Sequence, residues 1–298
     1  MKVLITGGLG FIGSHLGKLL ESAGNEVAYM DRVRRTLPNY HRGDICDYYR
    51  MEDIFEEVRP DVVYHLAAMV SRKECEETPL LAIQANVDGT MNICRLAAKH
   101  NSRLIYSGSS EEYGEAFFNN KYVTEKTPFG KPTSFYSMTK RMSEEVVEYY
   151  TASADLVAIT TRFFMLYGSG EESSDYRSAV SRFINAALRN SPLKVHEGTE
   201  RSWCHISDAI EALYLMANVK LDSYTSINIG RNEPILTEDL ARRIINLIGS
   251  NSDIEFVERD KTIIPIKRAN FGYAKKLLGW ESKICLYDGL RMTIGEMK

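Results

Sequence analysis

Tyr136 and Lys140 stand four positions apart in Tyr136-Ser-Met-Thr-Lys140, and on a helix positions i and i+4 share a face. A lysine ammonium beside a phenol stabilises the phenolate, because a nearby opposite charge favours the ionised form. A phenol that ionises near neutral pH is a general base for an alcohol or sugar hydroxyl. Near the start, Gly7-Gly-Leu-Gly10-Phe11-Ile12-Gly13 is a turn that lets the backbone approach a pyrophosphate closely. Together these features describe alcohol oxidation with a hydride-accepting dinucleotide.

A second match to the pair, Tyr122-Val-Thr-Glu-Lys126, follows Phe-Phe-Asn-Asn-Lys and precedes Pro128. That is loop sequence, so this tyrosine and lysine share no helical face. Tyr136 instead opens a helical pattern running from Thr133 to Tyr150, with Thr133 or Ser134 as its N-cap. Tyr136/Lys140 is read as the functional pair and Tyr122/Lys126 as chance.

The elements that must position these residues alternate. Lys2–Thr6 reads as a short buried strand, Phe11–Ser22 as a helix closed by Gly24-Asn25, and Glu26–Met30 as a strand ending at Asp31. Strands follow at Asp61–Leu66, Arg103–Ser107 and Leu156–Thr161, with helices at Pro79–His100 and Thr133–Tyr150 between them. Strands joined by long crossovers indicate a parallel sheet covered on both faces. Beyond Tyr167 the pattern loosens. Gly168–Tyr176 reads as a surface loop, and helices are expected near Ser178–Arg189, Ile206–Ala217, Thr237–Leu247 and Phe271–Leu278. Short strands are expected at Leu193–His196, Ser226–Ile229 and Ile254–Val257. The fold class is α/β: a Rossmann-type doubly wound parallel sheet with a smaller C-terminal α/β substrate-binding domain. The expected division places 1–166 plus 202–229 in the first domain and 167–201 plus 230–298 in the second.

In this context Gly7, Gly10, Phe11, Ile12 and Gly13 are the pyrophosphate turn at a helix N-terminus. Asp31 stands about the distance downstream at which a carboxylate accepts hydrogen bonds from the adenosine ribose, which favours NAD over its 2′-phosphorylated form. Arg32, Arg34 and Arg35 follow and would tolerate the phosphate. Asp44 and Ile45, after Gly43, are candidates to flank the adenine.

With 298 residues the chain is long enough for a sizeable core, and its formal net charge of -3 argues against a nucleic-acid partner. No run approaches membrane-spanning length, and Met-Lys-Val-Leu-Ile-Thr is too short an apolar start for a signal peptide. Cys46, Cys75, Cys94, Cys204 and Cys285 are scattered and include no Cys-x-x-Cys. They read as reduced cytosolic thiols, with neither a disulfide framework nor a metal site.

Further pieces occur in the same order: His65-Leu66-Ala67-Ala68, Asn86-Val-Asp-Gly-Thr90, Ser107-Gly-Ser109-Ser110-Glu111-Glu-Tyr-Gly114, Arg162, Tyr167-Gly168, Arg201 and Leu278-Gly-Trp280. With the turn and the tyrosine pair, this series resembles an extended short-chain dehydrogenase/reductase of the NAD-dependent epimerase/dehydratase family, which acts on nucleotide sugars. The resemblance implies Tyr136 as catalytic base, with Lys140 binding the nicotinamide ribose and lowering the tyrosine pKa. It implies Ser109 as the hydrogen-bond partner of the reacting sugar oxygen. Leu66, Ala67, Ala68 and Asn86 would lie along the cofactor, and Arg201 and Arg268 would contact the diphosphate. His65 and His205 are read as packing or backbone-bonded residues. A homodimer through the helices Pro79–His100 and Thr133–Tyr150 is also implied. The chain departs from the family where an asparagine usually contacts the substrate, which here is Met165, and where Phe135 replaces the proline often found before the tyrosine.

The shared chemistry begins with proton removal from the sugar 4-hydroxyl by Tyr136 while hydride leaves C4 for NAD⁺. A free tyrosine titrates near ~10, so a base working near pH 7 needs a drop worth about 4 kcal/mol. Glu111 bears on the fate of the resulting 4-keto sugar. Simple 4-epimerases usually carry a small residue there, whereas Ser109-Ser110-Glu111 is similar to the Thr/Ser-Ser-Glu of GDP-mannose 4,6-dehydratases and UDP-glucuronate decarboxylases. A carboxylate beside a 4-keto sugar is placed to move the C5 proton. The reading is an NAD-dependent nucleotide-sugar epimerase/dehydratase that oxidises C4 transiently, with Glu111 as C5 acid/base. The alternatives are an NAD(P)H-dependent 4-keto-sugar reductase, a decarboxylase and, last, a non-enzymatic dinucleotide sensor, which typically lacks the tyrosine or the lysine. Glu112 is expected to face away, as neighbours on an extended segment do.

Overall fold

The computed structural model describes residues 1–171, 178–221, 224–260 and 262–297. They form two compact units: Met1–Glu112, Ser134–Arg162 and Ile210–Ile227 in the first, and Tyr113–Thr133, Phe163–Ala209 and Asn228–Lys298 in the second. Residues 113–133, placed in the first domain by sequence, group with the second unit.

The first unit is built on β1 (Lys2–Thr6), β2 (Glu26–Asp31), β3 (Tyr40–Arg42), β4 (Val62–His65), β5 (Arg103–Ser109), β6 (Ala158–Phe163) and the strand Thr225–Ile229. The strands lie in the order Thr225–Ile229, β6, β5, β4, β1, β2, β3. β1 pairs in parallel with β2 and β4, with Leu4 opposite both Ala28 and Val63, and β4 pairs in parallel with β5. The order reverses between β1 and β4, which opens a crevice at their C-terminal ends where doubly wound sheets bind ligands.

Val3, Leu4, Ile5, Val63, Leu104 and Ile105 are fully buried, because a sheet covered on both faces hides successive residues of each strand. One side packs Leu4, Met30, Val63 and Leu104 against Met51, Ile54, Phe55, Ile93 and Leu96. Each such side chain contributes about 1.5–3 kcal/mol on burial. Met51, Ile54 and Phe55 come from the helix Tyr48–Val58, capped by the Asp47 carboxylate on Arg50 N–H at 3.1 Å.

α1 spans Phe11–Ser22, as expected. The long helix expected over Pro79–His100 is interrupted: α-helix Pro79–Ile83 passes through a π-helical turn, Gln84–Asp88, into Gly89–Lys99. The wider turn brings the Asn86 carboxamide onto Met69 N and O, at 2.8 and 3.0 Å, and onto Thr139 Oγ1 at 2.9 Å. Such π turns often mark functional sites.

The second unit pairs Leu193–His196 in parallel with Ile254–Val257, and Glu200–Ser202 antiparallel with Pro234–Leu236. Helices Ala179–Leu188, Thr237–Ile248 and Leu286–Met297 enclose Phe183, Leu193, Trp203, Leu240, Ile244 and Leu290. The loop expected over 168–176 lies outside the described residues from 172 onward. Among the described residues, no helix is long and apolar enough to cross a membrane.

Candidate active site

The glycine turn joins β1 to α1. Gly7 has φ +69°, and a Cβ on it would stand 2.8 Å from Ala67 N; one on Gly13 would stand 2.4 Å from Gly7 O. Only glycine allows the turn to close against the end of β4 and lets α1 start so near it. Gly10 caps α1 without a side chain, so the first N–H groups of the helix, at Phe11 and Ile12, meet no side-chain acceptor. An anion there is favoured by the open N–H groups and the helix dipole.

Asp31 closes β2. Its Oδ2 accepts from Leu9 N–H at 3.3 Å and its Oδ1 from Arg32 N–H at 2.8 Å. Asp44 accepts from Cys46 N–H at 2.9 Å, and Asn92 holds Ile45 by its carbonyl at 3.0 Å. Ile45 itself packs where a Cβ on Gly89 would meet its Cδ1 at 2.6 Å. Leu66 N–H donates to Thr6 O at 3.1 Å and Ala67 N–H to Thr6 Oγ1 at 3.4 Å, which carries Leu66, Ala67 and Ala68 past the turn. A pyrophosphate turn, an uncapped helix start and a strand-end carboxylate on one crevice fit a dinucleotide. The Asn86 carboxamide is committed to Met69 and Thr139, so its effect on the crevice is to set the loop after β4.

His65 is buried between Thr6 Oγ1 at 2.7 Å and Thr90 Oγ1 at 3.1 Å. Burial, and then the Lys140 charge, push its pKa down to about 3, so it is a neutral packing residue. His205 accepts from Ser207 N–H at 3.3 Å.

Tyr136 and Lys140 sit on the helix Phe135–Ser153, whose N-cap Ser134 accepts from Ser137 N–H at 3.1 Å. The competing pair lies off any helix, with Tyr122 exposed. The Lys140 ammonium is buried, donates to Ser107 O and stands 4.5 Å from the centroid of the Tyr106 ring. Burial lowers its pKa to about 8, against the pull of Glu112 and Glu144. Tyr136 differs from expectation in direction. Burial raises its pKa above the ordinary value, the Glu111 and Glu112 carboxyls add to the rise, and only a hydrogen bond with Ser109 opposes it. The protein alone therefore holds a phenol, chiefly because the hydroxyl is buried.

Ser109 ends β5, and Ser110–Tyr113 form a 3-10 turn. Ser109 Oγ accepts from Glu111 N–H at 3.2 Å, and Ser137 Oγ donates to Glu111 O at 2.7 Å, which fixes the turn to the tyrosine helix. Ser109, Ser110 and Glu111 are all buried. Glu112 is on a turn, not an extended segment, so the alternation argument fails. Its carboxyl is fully buried and accepts from Ser109 N–H at 2.6 Å. Sequence reasoning passed over Glu144, yet Tyr136, Lys140 and Glu144 recur at the spacing of one helical face.

In the second unit, Arg201 donates to the carbonyls of Glu200, Pro265 and Ile264 at 2.7–2.8 Å. Arg268 forms a two-point ion pair with Glu200, one contact at 2.6 Å. Met165 has φ +35°.

The model of the family described as NAD dependent epimerase/dehydratase matches residues 3–230. UDP-glucuronic acid decarboxylase 6 of Arabidopsis thaliana is 33% identical, over 97% of this chain and 87% of its own length. The crystal structure of UDP-glucose 4-epimerase from Thermotoga maritima with UDP-glucose superposes with a TM-score of 0.92 at 25% identity, over 100% of this chain and 98% of that one. MoeE5 in complex with UDP-glucuronic acid and NAD gives a TM-score of 0.90 at 27% identity, over 100% and 99%. The chain belongs to the NAD-dependent epimerase/dehydratase family and is an NAD-dependent enzyme.

Proposed function

We propose that this enzyme oxidises C4 of a UDP-linked hexuronic acid transiently and releases its C6 carboxylate as carbon dioxide. The observation that carries the first step is Tyr136 and Lys140 on the helix Phe135–Ser153, with the Lys140 ammonium held on Ser107 O of β5 two residues before the buried Ser109. The hexuronate is supported by the decarboxylase relative and by the UDP-glucuronic acid bound in MoeE5.

Gly7, Gly10, Phe11, Ile12, Gly13 and Asp31 would hold the dinucleotide, and Lys140 its nicotinamide ribose. When bound, the nicotinamide takes the C4 hydride and later returns it. Tyr136 removes the proton of the 4-hydroxyl, and Ser109 Oγ orients that oxygen. A 4-keto hexuronate is a β-keto acid. Its C5–C6 bond breaks, carbon dioxide leaves, and the electron pair forms the C4–C5 enolate. Glu111 would return a proton to C5, and Ser110 begins the turn that carries it. Arg201 and Arg268 are expected on the diphosphate by family resemblance alone, since their guanidiniums are held by three carbonyls and by Glu200.

Glu111 also favours a second reading, since the same carboxylate would take the C5 proton in a dehydratase. Incubation with NAD and C6-labelled UDP-glucuronate separates these. Labelled carbon dioxide and a UDP-pentose are expected. Loss of water, or unchanged mass with altered stereochemistry, would overturn the decarboxylase reading. Equal turnover by Tyr136→Phe would remove the catalytic assignment altogether.

The reading includes a homodimer. Leu80, Leu81 and Met91 on the 79–99 helical run, and Met142 and Tyr149 on the tyrosine helix, are exposed apolar residues that a two-fold contact would cover. A monomeric mass by light scattering would exclude it. A cytosolic location suits the free buried thiols of Cys75, Cys94 and Cys204.

A further inference from the structure

Behind the tyrosine and lysine, two carboxyls lean on one guanidinium. Arg162 grips Glu144 at two points, Nε to Oε2 at 3.0 Å and Nη2 to Oε1 at 2.6 Å. Tyr224 adds a third bond to Glu144 Oε1 at 2.8 Å. Glu112 Oε2 reaches only the edge of the same guanidinium, 3.7 Å from Nε. Its other oxygen takes the Ser109 N–H. Room for this carboxyl is made by Gly108, where a Cβ would stand 2.9 Å from Glu112 Oε1. All three charged groups are buried.

Two carboxylates out of water cannot both stay ionised on one guanidinium at low cost. Glu144 has the two-point grip and the tyrosine, so it keeps the charge. Burial first, then the charge of Glu144 and a hydrogen bond to it, hold the Glu112 proton well above the usual carboxyl range, against Arg162 and Lys140. For Glu144 burial acts upward, but the bonds from Glu112 and Arg162 outweigh it and leave it lowered.

We propose that Glu112 works as a neutral carboxylic acid beside the ionised Glu144, and that in this form it is a positioning residue for the Ser109–Glu111 turn. The role rests on the reading of Tyr136 as base. A neutral acid suits this place: its C=O accepts from Ser109 N–H, and protonation removes the charge from the buried Oε2, which accepts no hydrogen bond. It thereby anchors Ser109 without placing a second full negative charge beside the phenol, where a Glu112 charge would raise the Tyr136 pKa further. The groups that face Glu112 are Glu144, Lys140 and Tyr136 from the tyrosine helix, Arg162 from β6, Tyr106 from β5 and Glu111 from its own turn. Ser109 is the substrate-touching member of the set, and Glu112 acts through it.

Glutamine reproduces the neutral acceptor, and leucine does not. Glu112→Gln is expected to keep kcat within about threefold of the wild type. Glu112→Leu is expected to lose kcat roughly tenfold or more at little change in KM, since the buried Ser109 N–H loses its acceptor. Infrared difference spectra of the protein alone at neutral pH, wild type minus Glu112→Gln, should show the C=O stretch of a protonated acid. Absence of that band overturns the proposal; if Glu112→Gln does not fold, the band is read in the wild type alone by its shift on exchange of water for heavy water. So does a glutamine variant as impaired as the leucine one, or a leucine variant as active as the wild type. If the wild type turns over no nucleotide sugar while the band is present, the functional reading fails and the neutral Glu112 stands.

Discussion

Asp31 Oδ2 accepts a hydrogen bond from Leu9 N–H at 3.3 Å, so the acid that ends β2 is tied to the turn that follows β1. The carboxylate lies beside the pyrophosphate turn, where it would accept hydrogen bonds from a ribose diol and repel a 2′-phosphate. Asp31→Asn keeps the shape and removes the charge. NAD affinity should fall about tenfold, since bonds to a charged group contribute about 1.5–3 kcal/mol. The preference for NAD over NADP should shrink at least as much. Titration of both dinucleotides by calorimetry checks this; an unchanged ratio would remove Asp31 from the cofactor site.

Lys140 gives two readouts that move in opposite directions with pH. Its pKa is lowered to about 8, chiefly by burial, below the ordinary value near 10.4. The neutral amine cannot support a phenolate, so kcat should fall as pH rises above about 8. Stability behaves otherwise. Between about 8 and 10.4 the unfolded chain binds the lysine proton and the folded chain does not, so this group's destabilisation is relieved as pH rises. The lysine share is the difference in urea midpoint between wild type and Lys140→Met, which should narrow between pH 7.5 and roughly 10. Lys140→Met itself should lose turnover on the order of 10²-fold. A wild-type profile flat to pH 10 would contradict the assignment.

His65 makes the fold sensitive to acid. Its pKa is pushed down to about 3 in the fold, against an ordinary value near 6.5. Above about 6.5 neither state binds the proton and nothing is lost. As pH falls below that value the unfolded chain binds a proton that the folded chain refuses, and stability drops by roughly 2 kcal/mol at pH 5. Urea unfolding at pH 7 and pH 5 measures the drop. His65→Gln should flatten that dependence even if its stability at pH 7 is lower, and an undiminished slope would place the acid sensitivity elsewhere.

The parts of the molecule legible in the sequence are those where local chemistry and tertiary placement agree. Lys2–Thr6, Phe11–Ser22 and Leu193–His196 were readable to the residue because apolar pattern and turn chemistry mark both ends. Tyr48–Val58 was passed over because only Met51, Ile54 and Phe55 of a polar segment face the core, although Asp47 and that spacing are a usable signal. The π turn at Gln84–Asp88 left no mark, since it arises from the bonds Asn86 makes across the fold. In the site, Tyr136, Lys140 and Ser109 are evident from type and spacing. The state of the phenol is not. It depends first on burial of the hydroxyl and then on Ser109, Glu111 and Glu112, and the place of Glu112 depends on a turn beginning one residue after β5.

Met165 carries the last prediction. Its φ of +35° lies in the left-handed region, which costs a residue with a Cβ about 1–2 kcal/mol and which asparagine tolerates best after glycine. The conformation is built in, because Met165 O accepts from Cys204 N–H at 3.1 Å where Leu166–Tyr167 pairs with Cys204–His205. Its side chain packs against the cluster of Tyr167, Phe183 and Trp203. Met165→Asn therefore relieves the backbone by about 1 kcal/mol and loses apolar contact of similar size. The thermal midpoint should stay within about 3 °C of the wild type. If this position faces the sugar nucleotide, as the family resemblance implies, the regained amide lowers KM at constant kcat. Met165→Gly is the control: it relieves the backbone without adding an amide, so KM should not fall. Equal KM in the wild type and the asparagine variant would mean that the position shapes the strand crossing and does not touch substrate.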